Sequence, residues 1–142
     1  MFFGEFEYKL DEKGRFPLPP AIRPSLKDGL ILAPGTGEKC IYAYPLCEWK
    51  KLAESLKSTT VAPSKMRRLN RALFALAFDV NLDAQGRLTL PAPLKTYAGV
   101  NIEVIVAGVN NYLEIWDKET WESEKKASQE QAWQIIETLE EH

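Results

Sequence analysis

Histidine is almost missing from this 142-residue chain, and the one present, His142, is the last residue. That absence removes Ser-His-Asp and Cys-His catalysis and every histidine-based metal site. Cysteine is also scarce. Cys40 and Cys47 are the only two, seven apart, and the expectation is a reduced, partly buried pair rather than a disulfide or a zinc site. No apolar run approaches the roughly 20 residues of a membrane span, and no signal peptide opens the chain. The expectation is a cytoplasmic protein without a membrane partner. A Gly-rich phosphate loop and a nucleophile elbow are missing too, so neither a small-molecule cofactor nor an enzymatic activity is expected. Paired carboxylates such as Glu5 and Glu7, or Asp79 and Asp83, lie on strands beside polar turns with no partner for acid–base chemistry.

The composition is that of a soluble globular protein, 45% hydrophobic and 27% charged. A chain of about 150 residues buries roughly 68–70% of its unfolded surface, so one compact domain or two intertwined halves needs no covalent staple. The net charge of −2 hides an asymmetry: residues 1–75 carry 13 Lys or Arg against 8 Asp or Glu, and residues 76–142 carry 5 against 12. Such a chain does not coat polyanions indiscriminately, yet it is able to present a few basic residues at one face.

One stretch occurs twice. Leu10-Asp11-Glu12-Lys13-Gly14-Arg15-Phe16-Pro17-Leu18-Pro19 returns 72 residues later as Leu82-Asp83-Ala84-Gln85-Gly86-Arg87-Leu88-Thr89-Leu90-Pro91. The same ungapped offset pairs Phe6 with Phe78 and Trp49 with Trp121. The chain therefore reads as a tandem duplication. Each copy predicts strand, Asp-Gly turn, strand, short helix, two further strands and a helix. In the first copy these are Phe2–Leu10, Arg15–Leu18, a short helix from Pro19 or Pro20 to Leu26, Leu30–Ala33 and Cys40–Tyr44. A helix after Pro45 follows, built on Leu46, Trp49, Leu52, Ala53 and Leu56. Ser58–Ser64 reads as a loop, and Met66, Leu69, Leu73 and Leu76 define a helix whose polar face holds Lys65, Arg67, Arg68 and Arg71. The later strands of the second copy are Ile102–Ala107 and Tyr112–Trp116. A final acidic helix, roughly Lys118–Glu141, has an apolar stripe at Trp133, Ile136 and Leu139; a surface helix packing that stripe is the first expectation and an oligomer contact the alternative. The four tryptophans are expected in the core.

The repeated turn is the feature with chemistry to offer. Asp supplies side-chain bonds to backbone N–H groups and Gly tolerates positive φ, so both are explained by the turn itself. No turn geometry demands Arg. Its planar fork suits phosphate oxygens or a guanine edge, and a neighbouring Asp lowers the entropy lost on binding by holding it. Lys13 stands where the second copy has Gln85, and Arg23 where it has Lys95, so the copies are not equal binders. The basic helix around Arg67 and Arg68 reads as a solvated face, with a supplementary phosphate contact as the functional alternative.

LDEKGRFPLPPAIR and LDAQGRLTLPAPLK both resemble the signature of the AbrB/SpoVT-like swapped-hairpin β-barrel, a bacterial DNA-binding fold. With the opening MFFGEFEYKLDEKGR and the later LEIWDKETW, residues 1–122 resemble the MraZ family, transcriptional regulators of the division and cell-wall gene cluster. The resemblance implies mixed β structure with short helices, in which two swapped-hairpin units of one chain form an intramolecular pseudo-dimer. It further implies homo-oligomeric rings that bind repeated promoter boxes in double-stranded DNA, in the nucleoid. The implied contacts are Arg15 and Arg87, supported by Asp11 and Asp83, with Lys13 beside the first turn. The expected organisation is a first repeat with its helix at 1–58, a connecting basic helix at 59–76, a second repeat at 77–122 and an acidic helix at 123–142. A DNA-binding repressor is the first expectation. The alternatives are an antitoxin-like module whose acidic helix clasps a protein partner, and a ring-forming scaffold without affinity for DNA.

Overall fold

The computed structural model describes residues 1–140. The first repeat forms β1 (Glu5–Lys9), β2 (Arg15–Pro17), a 3-10 turn (Arg23–Leu26), β3 (Leu30–Pro34), β4 (Ile41–Pro45) and α1 (Leu46–Lys57). A connecting helix α2 (Pro63–Asn70) continues through a wider π-helical turn, Arg71–Ala75. The second repeat forms β5 (Phe78–Val80), β6 (Arg87–Thr89), α3 (Ala92–Ala98), β7 (Glu103–Gly108) and β8 (Leu113–Asp117), and α4 (Lys118–Glu140) follows directly.

Local chemistry accounts for the differences from the expected boundaries. Of the short helix expected between Pro19 and Leu26 only Arg23–Leu26 forms, as a 3-10 turn, because Pro24 has no N–H with which to continue a helix begun at Pro19 or Pro20. In the second repeat Pro93 falls within the first turn, where its missing N–H costs nothing, and α3 completes seven residues. For the same reason α2 begins at Pro63, inside the expected loop.

Six strands form one antiparallel sheet in the order β1-β7-β8-β4-β3-β5, and β2 pairs with β6 in a separate ribbon. The first strand of each repeat pairs with the third strand of the other: Phe6 faces Val106, and Phe78 faces Leu32. Exchanging the repeats (β1 for β5, β2 for β6, β3 for β7, β4 for β8) reproduces the same order reversed, which is the mark of a pseudo-twofold axis. It passes between β4 and β8 and through the Phe16–Leu88 pair of the ribbon. The repeats differ in one hairpin: six residues, 35–40, join β3 to β4, whereas four, 109–112, join β7 to β8.

The core lies between ribbon and sheet. Phe16, Leu18, Leu88, Leu90 and Leu94 pack with Leu30, Leu32, Ile41, Val104, Val106, Leu113 and Ile115. The opposite face of β4 and β8 carries a second cluster of Cys40, Tyr42 and Trp116, flanked by Tyr44, Tyr112 and Trp121. Trp49 packs against Tyr44 and Phe74 at the start of α1. Trp116 is buried as expected, whereas Trp49 and Trp121 are half-buried at the edge of the core. Trp133 lies outside it, being 71% exposed.

The apolar stripe of α4 also differs from expectation. The root of the helix is held by polar contacts: Trp121 Nε1 and Lys125 Nζ each donate to Glu5 at 2.8 Å, and Lys118 bridges Glu7 and Glu103. From Ser128 to Glu140 every residue except Ala132 is exposed, with Ile136 at 41% and Leu139 at 69%. The stripe therefore packs on nothing in its own chain. The same contacts occupy the carboxylates of Glu5 and Glu7. Lys125 holds the Glu5 carboxyl below its ordinary range. Cys40 is buried, Cys47 exposed, and both are free thiols. Among the described residues, no helix is long and apolar enough to cross a membrane. His142 lies outside them.

Candidate nucleic-acid interface

Each repeated turn is closed by its own aspartate. Asp11 Oδ1 accepts from the backbone N–H groups of Lys13 and Arg15, both at 2.9 Å, and Asp11 Oδ2 accepts from Arg15 Nε at 2.8 Å. Asp83 repeats the pattern with Gln85 N–H at 2.9 Å, Arg87 N–H at 2.8 Å and Arg87 Nε at 2.7 Å. Backbone bonds between Asp11 and Arg15, and between Asp83 and Arg87, complete both reversals. Gly14 and Gly86 sit at φ 73 and 74, a region closed to most other residues without strain.

Donation from the arginine backbone N–H is the largest influence that holds each aspartate carboxyl below its ordinary pKa range, and the guanidinium adds to it. A depressed carboxyl stabilises the fold above its unfolded value and loses that contribution as pH falls through the lower folded value. The turns therefore stay braced throughout the neutral range and loosen only in acid.

Arg15 pairs with Thr89, Phe16 with Leu88 and Pro17 with Arg87. Directly opposed residues share a face and neighbours along a strand alternate, so Arg15, Pro17, Arg87 and Thr89 all project from one side. Phe16 and Leu88 project from the other and are buried. The two arginines are diagonal neighbours, with Cα atoms roughly 7–8 Å apart for this geometry. Each has its Nε committed to aspartate, and among the described residues no hydrogen bond uses its terminal Nη groups. Two braced forks on one face of an antiparallel ribbon are suited to a planar acceptor pair or to phosphate oxygens.

Lys13 stands exposed at the tip of the first turn. The second turn has no lysine there but gains a cation from elsewhere. Arg23, from the first repeat, donates from Nε to the Leu18 carbonyl at 2.9 Å and lies directly over Gly86, where a Cβ would overlap its guanidinium. A Cβ on Gly14 would meet nothing within 4 Å. Sequence reasoning noted Arg23 only as the counterpart of Lys95 and missed its place across the repeats. The basic helix is not brought to the ribbon: its Arg71–Ala75 turn packs against β3, and Phe74 against Trp49.

The glycines give a direct test of this asymmetry. Gly14→Ala should cost about 1 kcal/mol, the backbone penalty alone. Gly86→Ala should cost clearly more, because it must also displace Arg23. Urea unfolding of the two variants measures the difference, and equal losses would contradict the packing of Arg23 on the turn.

Fold and ribbon together define a tandemly duplicated, strand-exchanged β protein that presents two aspartate-braced arginines at its pseudo-twofold axis. A family model described as "MraZ protein, putative antitoxin-like" matches this chain twice, over residues 1–72 and 73–139. The chain belongs to the MraZ family. It is 96% identical over 140 residues to a protein of Dehalococcoides mccartyi named transcriptional regulator MraZ, with 99% of each chain covered. It is 38% identical over 139 residues to the protein of that name in Frankia alni, covering 98% of this chain and 96% of the relative. A Parafrankia protein of the same name is 41% identical over 123 residues, covering 87% of this chain and 85% of the relative.

Proposed function

We propose that this protein is a transcriptional regulator, acting as a repressor, that binds double-stranded DNA by seating the β2–β6 ribbon in the major groove. The observation that carries this reading is the common face of Arg15 and Arg87, each braced by its own aspartate. The major groove is about 12 Å wide and admits a two-stranded ribbon, and an arginine fork matches the O6 and N7 acceptors of guanine. The strand exchange supports assignment to the AbrB-type swapped-hairpin barrels, with 1–58 and 77–122 as the exchanged units. The names of the relatives support the regulatory role. No catalytic step or cofactor enters this mechanism. Lys13 at one turn and Arg23 at the other supply flanking phosphate contacts, so the two ends are closer to equal than the Lys13-to-Gln85 change implies.

Few cations face the DNA, and affinity falls steeply with salt when phosphate contacts carry it. Several protomers on repeated boxes would supply the remainder. The uncovered α4 stripe supports a homo-oligomeric ring: an acidic helix bearing Trp133, Ile136 and Leu139 complements the groove between α1 and α2, which is lined by Leu56, Val61, Met66 and Phe74 and rimmed by Lys57. A head-to-tail contact of this kind closes into a ring when its rotation permits. The same stripe favours, as a second reading, an antitoxin-like tail that binds a small protein. Purified protein mixed with sheared genomic DNA should retain fragments that share a short repeated box upstream of genes. Retention without any shared sequence would remove the sequence-specific role, and a stoichiometric protein bound through residues 118–142 would favour the second reading.

A further inference from the structure

The longer hairpin of the first repeat holds a group of side chains that the DNA-binding mechanism does not use. Residues 35–40 fold so that the Gly35 N–H donates to the Cys40 carbonyl at 2.8 Å, and a Cβ on Gly35 would come within 2.8 Å of the Cys40 sulfur. The Tyr97 hydroxyl, from the second repeat, donates to the Gly35 carbonyl at 2.7 Å and lies 3.1 Å from that of Glu38. Glu114 on β8 faces Tyr42 on β4, and Cys40 lies two residues before Tyr42, so thiol and carboxylate meet on the same side of the sheet. One donor atom each from Glu38, Cys40 and Glu114 lies within 4.8 Å of the others.

Cys40 is 0% exposed and Glu114 is 9% exposed. Glu114 Oε1 accepts from Trp116 Nε1 at 3.1 Å, and the Tyr112 hydroxyl is a second donor beside the carboxylate. Among the described residues, no hydrogen bond reaches the Cys40 sulfur and none joins the three side chains to one another. No ion pair among them reaches Glu38 or Glu114, and the nearby Lys39 ammonium lies instead over the Tyr97 ring, 5.0 Å from its centroid. The other ionisable groups facing the cluster are Glu124 of α4 and the phenols Tyr42, Tyr44 and Tyr112, none of them cationic. Burial raises the Glu38, Cys40 and Glu114 groups above their ordinary values, and the Glu124 carboxylate adds to all three, with repulsion from the other cluster members adding at Cys40 and Glu114. Among the described residues no buried side-chain nitrogen or oxygen lacks a hydrogen-bond partner. What the cluster lacks is opposite charge and a partner for the buried Cys40 sulfur, whereas buried ionisable groups are normally compensated by one or the other.

We propose that Glu38, Cys40 and Glu114 bind one divalent zinc-type cation. A thiolate and two carboxylate oxygens are zinc ligands at about 2.3 Å and 2.0–2.2 Å, and a tetrahedral site places such donors roughly 3.6 Å apart, a small contraction of the observed cluster. The fourth position is left to water. Trp116 on Glu114 and Tyr97 on the loop act as the outer contacts that orient metal ligands. The ion would clamp the first-repeat hairpin to β8 of the second repeat, far from the arginine ribbon in sequence and independent of DNA.

The test uses the full chain, stripped with a chelator and titrated with Co²⁺ and then Zn²⁺. The expected result is one equivalent per chain, a near-ultraviolet thiolate-to-cobalt band that Zn²⁺ erases, and a higher thermal midpoint with metal. Cys47→Ser should leave the band unchanged, and Cys40→Ser should abolish it. Glu38→Gln, on a partly exposed loop, should weaken Zn²⁺ binding by at least the roughly 10- to 100-fold that loss of an outer contact costs. Affinity should rise with pH as the ligands release protons. No thiolate band in the native chain, a band lost in Cys47→Ser, or unchanged Zn²⁺ affinity in Glu38→Gln would each overturn the assignment. Glu38→Gln decides the matter even if Cys40→Ser fails to fold.

Discussion

An Arg15→Ala/Arg87→Ala chain is expected to fold normally and to lose specific DNA binding. A bidentate arginine–guanine pair is worth about 1–3 kcal/mol of discrimination, so two of them amount to roughly 30-fold to 10⁴-fold in single-box affinity. The fold should tolerate the change because both side chains project away from Phe16, Leu88 and the core beneath them. Arg15→Lys/Arg87→Lys separates two modes of recognition. Lysine keeps the charge but loses the fork, so a phosphate contact would survive largely intact whereas a guanine contact would fall nearly as far as in the alanine variant. Mobility-shift titrations at fixed salt, with circular dichroism to verify folding, read both effects. Unchanged affinity in the alanine chain would remove the ribbon from the mechanism.

The second large effect concerns the number of boxes. With a net charge of −2 and few cations at the ribbon, a single protomer on a single box should bind weakly at physiological salt. Linked protomers raise the effective concentration of each later contact, and avidity gains of about 10²–10⁴ are ordinary for such arrangements. Three correctly spaced boxes should therefore bind at least 100-fold more tightly than one, whereas inserting about half a helical turn between boxes should erase most of the gain. Truncation after Lys126 removes the exposed stripe and should reduce the assembly to protomers, with the one-box affinity unchanged and the three-box advantage gone. Equal affinity for one and three boxes would sink the multivalent mechanism, and an intact ring after truncation would move the copy–copy contact elsewhere.

The duplication and both turns were legible in the sequence because they rest on short-range interactions. Asp11 reaches only to Arg15, and Gly14 is needed at one backbone position. The pairing of β1 with β7 was not legible from pattern alone, since Phe6 and Tyr8 would face a core equally well within their own repeat. Only the resemblance suggested the exchange. Arg23 was missed because its partner, Gly86, lies 63 positions away. The Arg23-to-Lys95 mismatch was the one available signal, and it points to an asymmetric contact without naming it. For α4 the helical period was right, and of the two destinations open to it the packing on its own chain is the one that fails. Trp133, Ile136 and Leu139 mark an apolar face in either case, and periodicity does not say whether that face meets its own chain. Cys40 was expected to be unremarkable; only the fold brings Glu38 and Glu114 to it.

The strand exchange also sets the order of events during synthesis. Glu5 pairs with Ala107, so the first strand to leave the ribosome has no partner until more than a hundred residues have followed it. At about 5–20 residues per second, β1 waits several seconds or longer, with Phe6 and Tyr8 uncovered. Neither repeat is able to complete its sheet alone, and so the halves fold together or not at all. The strand made first is thus among the last to find its partner.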